Sequence, residues 1–221
     1  IQQAQWSNHM ITVTLCIVST PIGNLEDFSP RAVATLKKVD LIAVEDTRHS
    51  GRLMQHFSIS TPMLAVHDHN ERARAKILVQ KLAQGQSIAL ISDAGTPLIS
   101  DPGYHLVNAV RNAGYKVVPV VGPCALIAGL SVAGLATDRF SFYGFLPAKS
   151  SGRKQQLQQL VSVTHTQIFY ESPHRIVATV DDIVAVRGAN RQLVLARELT
   201  KTFETIFSAK ASEVKCWLGA D

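Results

Sequence analysis

SIALISDAGTPLISDPG, residues 87–103, decides the fold. The stretch begins as an unbroken apolar run and then packs Asp93, Asp101, two glycines and two prolines into a short loop. An apolar run without alternation is the mark of a strand buried on both faces, and such strands belong to parallel sheets covered by helices. The loop is not a phosphate cradle. A P-loop needs Gly-Lys-Ser/Thr opening a helix, and no Gly-Lys pair occurs in the chain. No two glycines stand in Gly-x-Gly spacing, so the dinucleotide fingerprint is absent as well. Asp93 and Asp101 would repel a phosphate. They suit a ligand with positive charge or many hydroxyl and amino donors.

Working outward, the same rhythm repeats. LCIVST (15–20) reads as a strand ending at Pro21-Ile22-Gly23-Asn24, and Ser29-Pro30 then opens a helix. DLIAVED (40–46) reads as a strand, followed by a helix through Arg52 and Met54; MLAVHD (63–68) is a third strand. NERARAKILVQKLAQG (70–85) is expected to be a helix with Ala73, Ile77, Leu78 and Leu82 on its inner face. A helix from about Gly103 is expected to turn Leu106, Val107, Val110 and Ala113 inward, before a strand in YKVVPVV (115–121). The alternation predicts an α/β fold with a mostly parallel sheet, whose ligands lie beyond the strand C-terminal ends. PIGN, VEDT, VHDH and SDAG all follow strand ends, so the polar residues gather on one rim.

PCALIAGLSVAGL (123–135) is apolar nearly all round and predicts a helix buried between layers or domains. Beyond it the pattern changes. FSFYGF, QIFYES, RQLVLARE and ETIFSA read as strands, with helices at about 153–161 and 174–186 and a short one in SEVKCWL. The expected division is a domain over 11–122 and a second over 123–221.

The 221 residues carry a net charge of +5, compatible with nucleic acid but equally with solvated lysine. The longest apolar runs stop short of a membrane span. Residues 1–10 show no signal-peptide pattern, and Met10 is read as a native start. Cys16, Cys124 and Cys216 are expected to be free buried thiols in a reducing cytoplasm.

Several groups compete for chemistry. Glu45, Asp46, Arg48, His49 and Arg52 stand beyond a strand end, as substrate contacts or as a solvated helix start. His67 and His69 are two apart, but loop and cap roles outweigh a metal, and no metal site is expected. Lys149, Arg153 and Lys154, with Ser150, Ser151 and Gly152, suit a phosphate backbone or form an exposed basic loop. Glu171, His174, Glu198 and Lys201 are acid–base candidates with no geometry to choose among them.

Taken together, STPIGNLEDFSPRA, AVEDTRHSGRLMQHF, AVHDHNE, ISDAGTPLISDPGYHLV, VVGPCALIAGLSVAGL, FYGFLPAKSSGRK, IFYESPHRI and LARELTKTFET resemble the bacterial ribosomal RNA small subunit methyltransferase I family. The resemblance spans residues 11 to 221 and places the chain in the tetrapyrrole methylase superfamily. It implies two α/β domains with S-adenosylmethionine in the cleft between them, and methylation of a cytidine ribose 2′-hydroxyl in the decoding region of 16S ribosomal RNA. It implies cofactor contacts from Pro21, Ile22 and Gly23; from Asp93, Thr96 and Asp101; from Ala128 and Gly129; and from Tyr170 and Ala196. Arg48, Arg52, Lys149, Arg153 and Lys154 are the candidate RNA contacts, and Glu45, Asp46, Glu171 and Glu198 the candidate bases. A cytoplasmic homodimer, possessing no membrane partner, is the implied state. Family members continue beyond the position of Asp221 with a Gly-Glu/Asp-hydrophobic strand, so a second domain incomplete at its C-terminus is expected. The rival readings are a porphyrinoid C-methylase, a diphthine synthase-like enzyme, and a non-catalytic RNA-binding or ribosome-assembly factor.

Overall fold

Five short apolar strands build the first half of the protein. A computed structural model describes residues 13–220; Met10 and Asp221 lie outside them. The strands are β1 (Thr14–Val18), β2 (Leu41–Val44), β3 (Met63–Ala65), β4 (Ile88–Leu90) and β5 (Lys116–Val120). They form one sheet in the order β3-β2-β4-β1-β5, and every pairing is parallel. Leu15 stands opposite both Ile88 and Val117. The three central strands are buried almost throughout, whereas the edges β3 and β5 are half-exposed. Pro119 falls on the edge strand β5, where a missing N–H costs no second ladder.

Each connection is a helix: α1 (Pro30–Lys38), α2 (Thr47–His56), α3 (Glu71–Ala83) and α4 (Tyr104–Asn112). Ser29 caps α1 by accepting from the Ala32 amide at 3.0 Å, and Pro30 occupies the first turn. Right-handed crossovers put helices on opposite faces when the direction of strand addition reverses. From β1 to β3 the chain moves one way along the sheet; from β3 to β5 it moves back. Thus Ala32, Leu36 and Met54 of α1 and α2 pack on one face, with Val18, Ile42 and Ile91. Ala75, Leu78 and Leu82 of α3 and Leu106 and Val110 of α4 pack on the other, with Leu15, Ala43 and Leu90.

Two helix faces differ from expectation. The buried stripe of α3 is Glu71, Ala75, Leu78 and Leu82, a 4-3-4 spacing, which leaves Ala73 and Ile77 exposed. Glu71 belongs to the interior because its carboxylate accepts from the Leu106 amide at 3.0 Å and so caps α4. In α4, Leu106 and Val110 are buried, while Ala113 is an exposed residue at the helix end.

The chain divides into two compact units, the first ending at Cys124 and the second beginning at Ala125. The second unit holds α5 (Ala125–Val132), β6 (Phe140–Phe145), α6 (Ser150–Gln159), β7 (Thr166–Tyr170), α7 (Ile176–Arg187), β8 (Gln192–Arg197), β9 (Thr205–Lys210) and α8 (Ala211–Ala220). Its strands form two pairs, β6-β7 parallel and β8-β9 antiparallel. Rings knit the first pair: Phe142 meets Tyr170 edge-on at 4.8 Å, and Tyr143 stacks on Phe169 at 5.4 Å. The all-apolar α5 is not fully buried. Leu126 and Leu130 are covered, one turn apart, whereas Ile127 and Val132 are exposed. Of the free cysteines only Cys16 is buried; Cys124 is half-buried and Cys216 exposed. Among the described residues no helix is long and apolar enough to cross a membrane.

Candidate cofactor site

The strand order puts a switch point of the first unit's sheet at β4, where a ligand crevice is expected beyond the strand ends. The loop after β4 leads to the face of α4, while the loops after its neighbours β1 and β2 lead to the opposite face, toward α1 and α2. Loops that part in opposite directions leave a gap beyond the strand ends. Around it the chain is tied down. Thr20 and Gly95 exchange both backbone hydrogen bonds, at 3.0 and 3.1 Å, which fixes the Pro21-Ile22-Gly23 loop beside residues 93–96. The Thr96 hydroxyl donates to the Pro123 carbonyl at 2.9 Å and lies 3.0 Å from that of Ser19. His49 of α2 reaches the Asp93 carbonyl at 3.0 Å.

Between these ties the loop backbone is strained. Leu98 and Ser100 hold left-handed conformations, with φ of 73° and 59°. Side chains with a Cβ rarely adopt these angles, and they persist where the surroundings over-determine them.

Besides Asp46, four carboxylates, Glu45, Asp68, Asp93 and Asp101, act on one another at this rim. The Glu45 carboxyl is pushed above its usual range, first by burial and then by the charges of Asp93, Asp101, Asp68 and Asp46. The Asp101 carboxyl is also raised, chiefly by burial, with Asp93 and Asp68 adding to it and a Ser92 hydroxyl hydrogen bond opposing. Asp93 carries the sharpest signal: its Oδ1 is buried and has no hydrogen-bond partner among the described residues. A buried acceptor left unpaired is costly unless a ligand satisfies it. A cationic, donor-rich ligand such as S-adenosylmethionine fits this set of carboxylates; a phosphate does not. Asp68 was not singled out from sequence as a site residue, although it follows the end of β3 just as Glu45 follows β2 and Asp93 follows β4.

Of the other candidate bases, Asp46 is occupied as the cap of α2. It accepts from the Arg48 and His49 amides at 2.8 and 3.4 Å, and these bonds hold its carboxyl below the usual range.

In the second unit, a cavity of 1110 Å³ opens among α5, β7 and β8. Gly129, Tyr170 and Ala196 all line it, whereas Ala128 does not. The Tyr170 hydroxyl accepts from the Leu126 amide at 3.0 Å and anchors the start of α5. Gly129 faces Ala196: a Cβ there would lie 3.7 Å from the alanine methyl.

Glu171 and Glu198, which both line this cavity, already have partners. Glu171 accepts from the Ser172 amide and the Thr179 hydroxyl at 2.7 Å each and pairs with Arg175 at 3.2 Å. Glu198 pairs with Lys201 at 3.4 Å in a tight turn, its φ being 53°.

The basic candidates separate in the same way. Arg48, Arg52 and Lys149 are exposed, and the Lys154 side chain is about half-exposed. Arg153 is not available to RNA. It is 4% exposed, bonds Asp182 at 2.8 Å and donates to the Ala148 carbonyl at 2.6 Å, locking the start of α6 to α7. A lone arginine in a basic, serine-rich loop gives no sign in sequence of an aspartate some thirty residues later that draws it inward.

Among known proteins, the family model described as Tetrapyrrole (Corrin/Porphyrin) Methylases matches residues 14–215. The chain is 59% identical over 207 residues to the Ribosomal RNA small subunit methyltransferase I of Vibrio cholerae serotype O1, covering 94% of this chain and 72% of that protein. The protein of the same name from Escherichia coli O157:H7 is 58% identical over 207 residues, covering 94% and 72%. That from Synechocystis is 56% identical over 190 residues, covering 86% and 68%. Among solved structures, a diphthine synthase aligns with a TM-score of 0.70 at 14% identity, covering 92% of this chain and 84% of that one. The methyltransferase CobJ aligns with a TM-score of 0.67 at 17% identity, covering 92% and 89%. At those identities the two structures speak to the fold alone.

Proposed function

The chain belongs to the tetrapyrrole methylase family, and from that premise we propose that it uses S-adenosylmethionine to methylate small-subunit ribosomal RNA at the ribose 2′-hydroxyl of a cytidine in the decoding region. The substrate class is supported by relatives 45–59% identical that carry the name ribosomal RNA small subunit methyltransferase I. The observation that carries the cofactor reading is the unpaired, buried Asp93 carboxylate oxygen in the crevice beyond β4.

The cofactor supplies a methyl group on a sulfonium. This chain's part is to hold and orient. Asp93 accepts a donor in the crevice, and Asp68 and Asp101 surround it with negative charge. Pro21, Ile22, Gly23 and Thr96 form the fixed wall created by the Thr20–Gly95 bridge. Glu45 is the group we assign to take the 2′-hydroxyl proton, because its carboxyl is raised toward the working pH and is not consumed as a cap or ion pair. Gly129, Tyr170 and Ala196, which line a cavity within the second unit, are the proposed cofactor contacts of that unit. Arg48, Arg52, Lys149 and Lys154 are the proposed phosphate contacts. A cytoplasmic homodimer is the proposed state, and sedimentation of the purified protein reads the assembly.

The test is transfer of tritiated methyl from S-adenosylmethionine to undermodified small-subunit particles and to naked small-subunit RNA, with the label mapped to sugar or base. Label on a cytidine ribose is expected. No transfer to either substrate, or label on a base, would overturn the reading. Glu45→Gln is expected to lower kcat by about 10²–10³-fold with cofactor affinity nearly unchanged. A full rate in that variant would remove Glu45 as the base.

A further inference from the structure

Away from the crevice, α3 and α4 lie side by side and leave a groove of 660 Å³ on the outer surface of the first unit. Ala75, Val79 and Ala109 form its floor, and their short side chains keep it shallow. Along one bank, Arg72, Lys76 and Gln80 of α3 follow at i, i+4 and i+8, all exposed. Along the other, His105 and Asn112 of α4 present further hydrogen-bonding groups. No carboxylate lines the groove. Among the described residues neither Arg72 nor Lys76 has an acidic partner within ion-pair distance.

We propose that this α3–α4 groove holds the phosphate backbone of the RNA substrate; the inference rests on the rRNA methyltransferase reading and extends it to a surface outside the crevice. The crevice itself gathers Glu45, Asp68, Asp93 and Asp101 and therefore repels phosphate. A polyanion that must bring a ribose to an acidic rim needs cations at the flank to hold the neighbouring nucleotides. The groove supplies them in the right place. Arg72 is in the first turn of α3, directly after the loop that carries Asp68, and His105 is in the first turn of α4, directly after the loop 91–103. The basic end of the groove thus borders the rim. Two cations one helical turn apart match the separation of successive phosphates, and the amides and imidazole can donate to phosphate and sugar oxygens.

The test compares wild type with Arg72→Gln/Lys76→Gln and Arg72→Lys/Lys76→Arg. It measures the Kd for undermodified small-subunit particles over a potassium chloride series, and the Kd for S-adenosylmethionine by calorimetry. The glutamine pair is expected to weaken particle binding about tenfold and to flatten the salt slope by roughly 1.5, from two lost phosphate contacts. Cofactor affinity and melting temperature should stay at wild-type values, and the charge-conserving pair should restore both slope and affinity. Wild-type slope and affinity in the glutamine pair, with methylation intact, would overturn the groove alone. Loss of cofactor affinity or a lowered melting temperature in that pair would mark these side chains as structural and overturn it too. A wild-type protein that methylates no RNA would overturn the proposed function and, with it, this surface.

Discussion

The proposed cofactor site rests on Asp93, whose buried Oδ1 has no hydrogen-bond partner among the described residues. Asp93→Asn keeps the shape and removes the charge, and is expected to weaken S-adenosylmethionine about tenfold or more by calorimetry while the fold survives. Unchanged affinity in a folded variant would take Asp93 out of the site. The rim's like charges also make a pH prediction. Glu45 and Asp101 hold their protons more strongly in the folded state than in the unfolded chain. Their contribution to stability is therefore present below the ordinary carboxylate pKa and is lost as pH rises through the raised values. Asp68→Asn relieves that repulsion, so it should raise the melting temperature by about 1–2 °C at pH 7, a gain kept small by solvent screening at a half-open rim. Near pH 4 the gain should vanish; a lower melting temperature at pH 7 would contradict the cluster. Arg153 gives the opposite kind of test. Arg153→Ala leaves Asp182 buried without its main partner and should cost roughly 3–5 kcal/mol in denaturant unfolding, whereas Lys154→Ala, on a half-exposed side chain 3.9 Å from the same carboxylate, should cost less than about 1 kcal/mol. Equal effects would refute the buried pair.

At the scale of elements, the order of strands and helices was legible because every strand of the first unit is a short apolar run closed by turn or cap residues. The faces of α3 were not. Ala73 and Ile77 look like core by hydropathy, but the helix is rotated so that Glu71 reaches inward to cap α4. A buried glutamate is the reverse of what apolar periodicity seeks, and its reason lies thirty-five residues away in the Leu106 amide. Glu71→Ala removes that cap and should cost about 1–2 kcal/mol by thermal or denaturant unfolding. No change would mean that water replaces the bond without penalty. At the same junction, Gly103 has φ of 136°, and a Cβ would lie 2.9 Å from Leu98 Cδ1 and 3.0 Å from Leu90 Cδ2. These two positions hold the C-terminal end of the strained loop, as the Thr20–Gly95 bridge holds its start.

For the molecule as a whole, the rim could be read from sequence because in a parallel sheet every loop that follows a strand lies at the same end. Which candidate acids already have partners was not legible, because Asp46, Glu171 and Glu198 look no different in sequence from Glu45. Only their amide, hydroxyl and cationic partners separate them. The strand order has one more consequence, for how the protein is made. β1 and β2 come first from the ribosome but never pair with each other; β4 stands between them and joins Leu15 to Leu41 through Ile88. A nascent chain ending before Leu90 has two central strands and nothing to unite them. The first unit should therefore gain protease resistance in a single step once residues 88–120 have emerged, late in its own synthesis and slowly for its size, as distant pairings require.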